Sequence, residues 1–503
     1  MPCSINFENS LPTPPEPEYR IWRQDPEKVK EEMLSGAVIS WEGSDYGAND
    51  FLIEFLKDSG LWETMTGLEK PKGLKMENGI PWEMMDQMMI LKELTEAGKI
   101  PKVGKVIRDG KLMAFLGFNI ERIQARKEED KGVIHPDTFR NHLKRKDQEE
   151  NLVDFYRHVK LLREKKWLRG GNYVADGFKI IVHGDGFEGA GEVWDPKTHS
   201  LVKGYKVVLL MNVEEDRERL VGLGIGAIQI DERDLLRKIL ADLKQHVCPP
   251  SEMIDLLILD RGFWGEAFLT EIKRKWRLDF LLIAKENLEI MKYEIPIVSE
   301  DLHWSERTVE VMDRHKHLKK KKIQIAKYEG IDFRIRRAKG FMTAVIVKEK
   351  GEKDRVFLTS LPVKEPLSIW KYYKERWVIE NEGIRELSQR FKIRDLSGKT
   401  LNSITARMTL VLKIYNALKI FAMKFTKTWE ELRETMRERA QESWLAGKGM
   451  IVYAGGWFAT MTEALFGDLM RRRGGLDVVR ALASRSPPEM RGQLEAWRKK
   501  LEG

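Results

Sequence analysis

Three carboxylates in this 503-residue sequence stand where residues of their type could act together on phosphate esters. Asp185 ends one short apolar run, in VHGDGFEG, and Asp260 ends another, in LILDRGFWG. The glycines beside both aspartates let the backbone turn sharply, as it must where a sheet meets a ligand. Glu380 lies in YYKERWVIEN, a stretch of helical period, and Arg376 precedes it by one turn, so the two side chains can touch or jointly hold a ligand.

The chemistry that suits three such groups is metal-assisted phosphoryl transfer. Carboxylates brought together without a cation repel one another, and a bound divalent ion removes that penalty. Mg²⁺, or Mn²⁺ in its place, takes oxygen ligands and commonly relies on carboxylates plus substrate phosphates. Two ions about 3.5 to 4 Å apart can activate the attacking oxygen and stabilise the leaving oxygen of an in-line displacement. We therefore predict that Asp185, Asp260 and Glu380 are catalytic and hold the metal.

Each carboxylate also has a plainer interpretation. An aspartate beside glycine at the end of a strand commonly forms a turn, and Arg376 with Glu380 can be an ordinary ion pair on a helix. Other carboxylates nearby are alternatives, namely Glu188, Glu192 and Asp195 for Asp185, and Glu382 and Glu386 for Glu380. The order of strand, strand and helix that carries the three predicted residues favours the catalytic interpretation.

Short apolar runs bounded by turn residues begin at Phe178 and predict five strands. Their sequences are KIIVHGD, GYKVVLLMNV, RLVGLGIGAIQI, DLLILDRG and LDFLLIAKEN. Helical patterns separate the third strand from the fourth and the fourth from the fifth. The predicted fold class is therefore α/β, with a mixed five-stranded sheet similar to that of the ribonuclease H-like nucleases. In that arrangement the first and fourth strands are neighbours, which brings Asp185 close to Asp260.

The rest of the chain divides around this core. The segment from 301 to 350 carries 14 Lys and Arg residues against 7 Asp and Glu residues, an excess that suits a polyanion such as nucleic acid. We predict a mobile tail at 1–25, a helical N-terminal DNA-binding region at 26–175, the first part of the catalytic core at 176–288, a strand-rich basic insertion at 289–364, the second part of the core at 365–425 and a helical C-terminal region at 426–503.

Composition and motifs exclude several classes of protein. Only Cys3 and Cys248 are present, far apart, which argues against a disulfide framework or a zinc site and favours a reducing, cytoplasmic setting. The sequence has no run of 18 uninterrupted apolar residues and no signal-peptide pattern, so no membrane association is predicted. The stretch VGLGIGAI lacks the third glycine of a dinucleotide-binding fingerprint, and no G-x-S-x-G elbow occurs, which argues against a dehydrogenase and a serine hydrolase.

The helix with Glu380 resembles a known family motif. Tyr373, Arg376 and Glu380 match the first three positions of the Tyr-x2-Arg-x3-Glu-x6-Lys signature of DDE-class insertion-sequence transposases, in the insertion sequence four group. The resemblance extends from Phe178 to about Ile420. It implies a ribonuclease H-like fold, the triad Asp185, Asp260 and Glu380, and Mg²⁺-dependent cleavage at transposon ends. The freed 3′-hydroxyl would then attack target DNA without a covalent protein intermediate.

The same resemblance implies a set of DNA contacts. In the family, the residues at the positions of Tyr373 and Arg376 contact the transposon end, and a guanidinium fork suits phosphate. The signature lysine would fall at Leu387, so the expected basic contact is missing there. Arg355 stands where some relatives carry a tryptophan that stacks on a base. The predicted DNA-binding residues are Tyr373, Arg376, Arg385, Lys392 and Arg355, with Arg390 as a further candidate for the lost phosphate contact.

The sequence thus predicts a DNA transposase that acts on double-stranded DNA, both at transposon ends and at the target. By resemblance it would work as a homodimer on paired ends, in the cytoplasm of a prokaryote and associated with the nucleoid. Two alternatives remain open: a catalytically decayed protein that only binds DNA ends, and a metal-dependent nuclease of the same fold.

Overall fold

The structure is a computed structural model in which part of the chain is described. The described residues are 31, 38–44, 47–66, 82–94, 100, 136–196, 198–214, 218–312, 318–329, 342–424, 449–454 and 457–462. The predicted tail, the predicted strand DFRIRRA and the predicted helix KLMAFLGFNIERIQAR lie outside these residues.

The secondary structure of the described residues comprises eleven α-helices, thirteen strands and four short 3-10 or π-helical segments. The helices are α1 (Gly47–Asp58), α2 (Leu61–Thr66), α3 (Trp82–Leu94), α4 (Pro136–Arg145), α5 (Gln148–Glu164), α6 (Glu232–His246), α7 (Glu266–Arg274), α8 (Ile295–Val298), α9 (Pro366–Val378), α10 (Arg385–Gln389) and α11 (Leu401–Lys424). The strands are β1 (Val38–Ser44), β2 (Gly171–Val182), β3 (Gly191–Asp195), β4 (Ser200–Asn212), β5 (Arg219–Ala227), β6 (Ile254–Leu259), β7 (Asp279–Ile283), β8 (Ser305–Met312), β9 (Leu318–Glu329), β10 (Thr343–Glu349), β11 (Arg355–Thr359), β12 (Gly449–Ala454) and β13 (Trp457–Thr462).

The chain folds into two compact units, one formed by 1–62, 83–139 and 425–503, and the other by 63–82 and 140–424. In the first unit β1, β12 and β13 form an antiparallel sheet, against which α1 packs. The sequence predicted only helical regions at both ends of the chain. The difference arises because β1 pairs with a strand about 400 residues away, and local patterns carry no information about such a partner.

The second unit contains a large mixed sheet with the order β3-β4-β2-β6-β7-β11-β10-β9-β8, and β5 also pairs with β4. Strand β6 runs parallel to β2 and to β7, and the other pairings are antiparallel. All five predicted core strands are present in the predicted order, so the mixed α/β fold similar to ribonuclease H is confirmed. The first of them starts at Gly171, upstream of the predicted start at Lys179.

The basic insertion continues the same sheet. Strand β11 pairs with β7, with Phe357 opposite Ile283, and β10, β9 and β8 follow in antiparallel order. The apolar residues of β10 that face the core, including Ala344 and Ile346, are fully buried. The strand-rich character of the insertion was predicted, but its union with the core sheet was not.

The helix α11 is the most buried helix among the described residues, with inward-facing polar side chains as well as apolar ones. The Asn416 side-chain amide accepts from the backbone N–H of Leu220 and donates to its carbonyl, both at 2.8 Å, and so fixes α11 to β5. None of the helices in the described ranges is long and apolar enough to cross a membrane.

Substitution of Gly204 tests the close approach of β4 to β2. A Cβ atom at Gly204 would stand 2.0 Å from the carbonyl oxygen of Ile180, which is backbone and can move only with the strand. We expect Gly204→Ala to lower the free energy of unfolding by more than about 2 kcal/mol because the two strands must separate. Urea unfolding measures the change.

The matched control is Gly170→Ala, since a Cβ atom there would meet its nearest neighbours at 3.6 Å, an ordinary contact distance. We expect that control to stay within about 0.5 kcal/mol of the unsubstituted protein. Equal stabilities of the two variants would contradict the close approach of β2 and β4.

Candidate active site

The register of β2 and β6 brings two aspartates together at the end of β6. The strands are parallel, with Ala175 opposite Leu259. The next residue on each strand is an aspartate, so Asp176 lies beside Asp260, and the two carboxyl groups interact electrostatically. Strand β6 is buried along its apolar residues, as expected of a central parallel strand, and this fixes its position in the sheet.

The third carboxylate comes from a continuous helix that lies against this sheet. Helix α9 runs through the π-helical segment Ile379–Ile384 into α10, and Glu380 is the second residue of the π-helical segment. Two contacts hold α9 in place: the Asn172 amide donates to the Glu375 carboxylate at 2.8 Å, and the Tyr373 ring lies 5.0 Å from the ring of Phe357. These contacts in the second half of α9 position Glu380 near Asp176 on β2 and Asp260 at the end of β6.

Arg376 lies between the carboxylates. One of its terminal nitrogens, Nη1, donates to Oε1 of Glu380 and lies 3.5 Å from Oδ2 of Asp176. Its guanidinium carbon stands 5.7 Å from the ring centre of Tyr373 and 5.2 Å from that of Trp377. Burial lowers the pKa of Arg376, but Tyr373, Glu380 and Asp260 more than offset this and raise it above its usual value. The side chain is therefore a permanent positive charge at the centre of the group.

The environment of Asp176 disfavours its ionised form. Burial above all, with the charges of Asp260 and Glu380 adding to it, raises the pKa of Asp176 to about 7. The backbone N–H of Gly177 and the guanidinium of Arg376 act in the opposite direction but do not cancel the effect. Two further carboxylates beside a mostly buried aspartate produce this result, and a divalent cation would reverse it.

The structure corrects the predicted place of Asp185. Strand β2 continues for six residues past Asp176, about 20 Å at the usual rise, before the turn that contains Asp185. The Asp185 side chain is fully exposed, and Lys203 lies 3.9 Å from it. Asp176 takes the place beside Asp260 that the sequence analysis expected for Asp185. The physical reason is that the strand begins earlier than its apolar run suggests, so its aspartate lies mid-strand.

A fourth carboxylate, from Glu232, lies close to the same strand ends. Glu232 is in the first turn of α6, and a Cβ atom at Gly177 or Gly262 would stand 3.0 Å from its carboxyl group. Lys206 lies 3.7 Å from it. Because Gly177 follows Asp176 on β2, and successive residues face opposite sides of a sheet, Glu232 and Arg376 approach from opposite faces. The two glycines close to the aspartates were the only sequence signal for this neighbour.

The alternatives to Glu380 face elsewhere. The Glu382 carboxylate lies 3.0 Å from Lys419 on α11, and Glu386 lies 3.5 Å from the same lysine. Tyr415 also donates from its hydroxyl to the backbone carbonyl of Glu382 at 2.8 Å. Among Glu380, Glu382 and Glu386, only Glu380 accepts a hydrogen bond from Arg376.

The predicted DNA-binding residues occupy two different environments. Arg385 and Lys392 are exposed, and Lys392 adopts a positive φ of 47°. Arg355 is exposed but ion-paired with Glu352, with Glu349 at 3.6 Å, and it lines a cavity of about 360 Å³ that also includes Arg261, next to Asp260. Tyr373 is mostly buried, and burial raises its pKa to about 12. Leu387, at the place of the signature lysine, is fully buried.

The carboxylates fit a hard divalent cation by their chemistry. Asp176, Asp260 and Glu380 supply only oxygen ligands, and Asp176 and Glu380 already share one cation, the guanidinium of Arg376. Within the described ranges, no three His, Cys, Asp or Glu side chains are arranged so that they could hold a metal ion as they stand.

Comparison with protein families matches residues 172–417 to the family described as Transposase DDE domain. The chain carries a DDE transposase domain. The matched range spans β2, β6 and the helix with Glu380, which contain the three carboxylates described above. DDE transposases are enzymes that cleave DNA and transfer strands with the help of divalent metal ions, so DNA is the substrate of this domain. A comparison with curated proteins found no match.

The raised pKa of Asp176 predicts that, in metal-free buffer, the free energy of unfolding of the transposase domain falls as the pH rises. Since the folded-state pKa, about 7, exceeds the usual value of 3.8, the folded chain retains a proton that the unfolded chain releases, and stability falls between about pH 4 and pH 7. Asp176→Asn removes this contribution. We expect the variant to gain on the order of 1 to 3 kcal/mol over the unsubstituted protein at pH 8 and little at pH 4.

Urea unfolding at pH 4.5, 6 and 8 in the presence of EDTA measures the difference between the two proteins. A difference that is constant across this range would contradict a raised pKa at Asp176.

Proposed function

We propose that this transposase cleaves DNA at transposon ends and joins the freed 3′-hydroxyl to target DNA, with Asp176, Asp260 and Glu380 as ligands of Mg²⁺ or Mn²⁺. The observation that carries the proposal is the parallel register of β2 and β6, which sets Asp176 beside Asp260 under the helix with Glu380. All three lie within the range that matches the DDE domain.

The side chains of this site have separate tasks. The three carboxylates would hold the cation, and the sheet and α9 keep them in position. Bound divalent ions would activate the attacking oxygen and stabilise the leaving oxygen of the in-line displacement. Tyr373, packed on Phe357, supports Arg376 from below. Glu232, paired with Lys206, lies against Gly177 of β2 and Gly262 of the turn after β6, next to the backbone of both aspartates.

DNA would be held by residues around the carboxylates. Arg385 and Lys392 are exposed on the helix and loop that follow Glu380, and both suit phosphate contacts. Arg376 and Tyr373 would meet the transposon end. Arg355, beside the cavity lined by Arg261, would contact the DNA next to the cleavage site.

The wider setting follows from the same proposal. The segments outside the DDE domain would bind the transposon ends, and two copies of the chain would act on paired ends. Membership of the insertion sequence four group and a nucleoid-associated cytoplasmic location in a prokaryote complete the proposal. Tyr373, Arg376 and Glu380 support the group assignment, and the buried Leu387 departs from it.

Substitution of single carboxylates tests the site. With Mg²⁺ and a labelled duplex of the terminal repeat next to the gene, we expect Asp176→Asn, Asp260→Asn and Glu380→Gln each to lower the cleavage rate by at least about 1,000-fold, the scale for loss of one member of a catalytic unit. Asp185→Asn is the matched control and should cleave like the unsubstituted protein, because its side chain faces solvent.

The outcomes distinguish a transposase from a protein that only binds DNA ends and from a nuclease. Loss of cleavage in Asp185→Asn together with full activity in Asp176→Asn would overturn the proposed ligand set. Binding to the duplex without cleavage under Mg²⁺ or Mn²⁺ would leave a protein that only occupies DNA ends. Cleavage without joining to a target duplex would leave a nuclease.

The phosphate contacts are tested by the salt dependence of DNA binding. Each lost phosphate contact lowers the slope of log affinity against log salt concentration by about 0.9 for duplex DNA. We expect Arg385→Gln and Lys392→Gln each to produce a change of this size in fluorescence anisotropy titrations. The control Lys165→Gln removes an equally exposed charge at the end of α5 and should leave the slope unchanged. Equal slopes for all four proteins would contradict the proposed contacts.

A further inference from the structure

We propose that Arg376 is the resident cation of the metal site before DNA arrives, and that it must leave the carboxylates before a divalent ion can bind. The inference rests on the proposed function of the three carboxylates. It assigns to Arg376 a second position, distinct from the DNA contact, and makes metal binding depend on where this side chain lies.

The first observation is the set of atoms that Arg376 occupies. Its Nη1 donates to Oε1 of Glu380 and reaches Oδ2 of Asp176 at 3.5 Å, so one nitrogen links the helix to the strand. Asp260 adds its charge to the same guanidinium. These oxygen atoms are the ones that a metal ion shared by the three carboxylates would use. A guanidinium and a dehydrated divalent ion cannot occupy the space between the same oxygens.

The second observation is that the guanidinium is held incompletely. Arg376 is mostly buried, yet its Nε has no hydrogen-bond partner among the described residues. A buried donor without a partner is costly, so release of Arg376 to a ligand that satisfies it removes a penalty as well as breaking an ion pair. A DNA phosphate is such a ligand, because it can accept two parallel bonds from the guanidinium fork.

The third observation concerns the path by which the Arg376 side chain would leave the carboxylates. The Arg376 guanidinium lies close to the rings of both Tyr373 and Trp377, and Trp377 is 54% exposed although it is a large aromatic side chain. Both rings can remain in cation–π contact with the guanidinium as it turns from the carboxylates toward solvent. The side chain therefore has a continuous favourable surface between its two positions.

The exchange couples metal to DNA. While Arg376 neutralises Glu380 and Asp176, a metal ion must displace a positive charge and binds weakly. Once a phosphate holds Arg376, the three carboxylates are left without a cation and attract the divalent ion strongly. By linkage, metal also strengthens DNA binding. In the cell, enzyme without DNA would then bind little metal. It would not cleave DNA until a transposon end is bound.

Manganese binding without DNA tests the proposal. Mn²⁺ is titrated into the full chain and the free ion is followed by electron paramagnetic resonance. We expect Arg376→Gln to bind Mn²⁺ at least about 10-fold more tightly than the unsubstituted protein, because a unit charge close to the site has been removed. The matched control is Lys371→Gln, which removes an exposed charge from the same helix and should not change the affinity.

Two further variants test where the Mn²⁺ ion binds and how the charge at position 376 affects its affinity. Asp260→Asn combined with Arg376→Gln should lose the tight Mn²⁺ site, which places the bound ion at the carboxylates. Arg376→Lys keeps the charge without the fork, and its affinity should lie between those of the unsubstituted protein and Arg376→Gln. If Arg376→Gln folds only with metal, its melting temperature should rise more steeply with Mn²⁺ than that of the unsubstituted protein, which reports the same gain in affinity.

Failure of the proposed exchange at Arg376 can be distinguished from failure of the proposed function. Equal Mn²⁺ affinity in the unsubstituted protein and Arg376→Gln, with binding still abolished by Asp260→Asn, would overturn the exchange and leave the proposed function in place. Absence of Mn²⁺ binding in every variant, together with absence of DNA cleavage, would overturn both.

Discussion

Carboxylates side by side on adjacent parallel strands repel one another, and the second unit of this protein is arranged around that repulsion. Asp176 and Asp260 cannot move apart, because the ladder between β2 and β6 fixes their spacing. Glu380 brings a third negative charge to the same place. Each apolar contact that seats α9 on the sheet therefore works against electrostatics unless a positive charge is present. In the structure that charge is Arg376. It lies on the same helix as Glu380, so one helix carries both a repelling carboxylate and the cation that offsets the repulsion.

Helix α11 provides the rigidity that this arrangement needs. Asn416 joins it to β5, and Tyr415 joins it to the π-helical segment through the carbonyl of Glu382. Arg407 donates to the carbonyls of Phe391, Lys392 and Asp395, which fixes the loop after α10. One buried helix thus holds the outer sheet, the Glu380 helix and the following basic loop in a single frame. Several of its buried polar side chains bond to backbone groups, among them Arg407, Thr409 and Asn416, which helps a helix buried on nearly every face to tolerate them.

The sequence predicted the strands and helices of the core better than it predicted the position of one aspartate. Apolar runs and helical periods are local, so the five strands, the crossover helices and Glu380 with Arg376 could be read directly. In YVADGFKIIV the Asp-Gly pair interrupts the apolar pattern, so the run after it predicted a strand start at Lys179, and the aspartate at its far end was chosen. Only the register of β2 against β6 shows that the interruption is the site itself. Glu232 and the pairing of β1 with β12 were hidden for the same reason, since both depend on contacts between distant parts of the chain.

The π-helical segment explains the departure at Leu387. Hydrogen bonds in a π-helix run from residue i to i+5, so each turn takes one residue more than an α-turn. Seven positions after Glu380 would return to nearly the same face of an α-helix, but Ile379–Ile384 shifts that count, and Leu387 points into the core, where it is fully buried. A lysine at 387 would have to bury its charge in this frame. Gly383 allows the segment to pack closely on Met211 of β4, so the shift is part of the packing of this chain and cannot relax locally. Arg385 and Lys392 remain exposed on the outer side, which is why we propose them for the phosphate contact after Glu380.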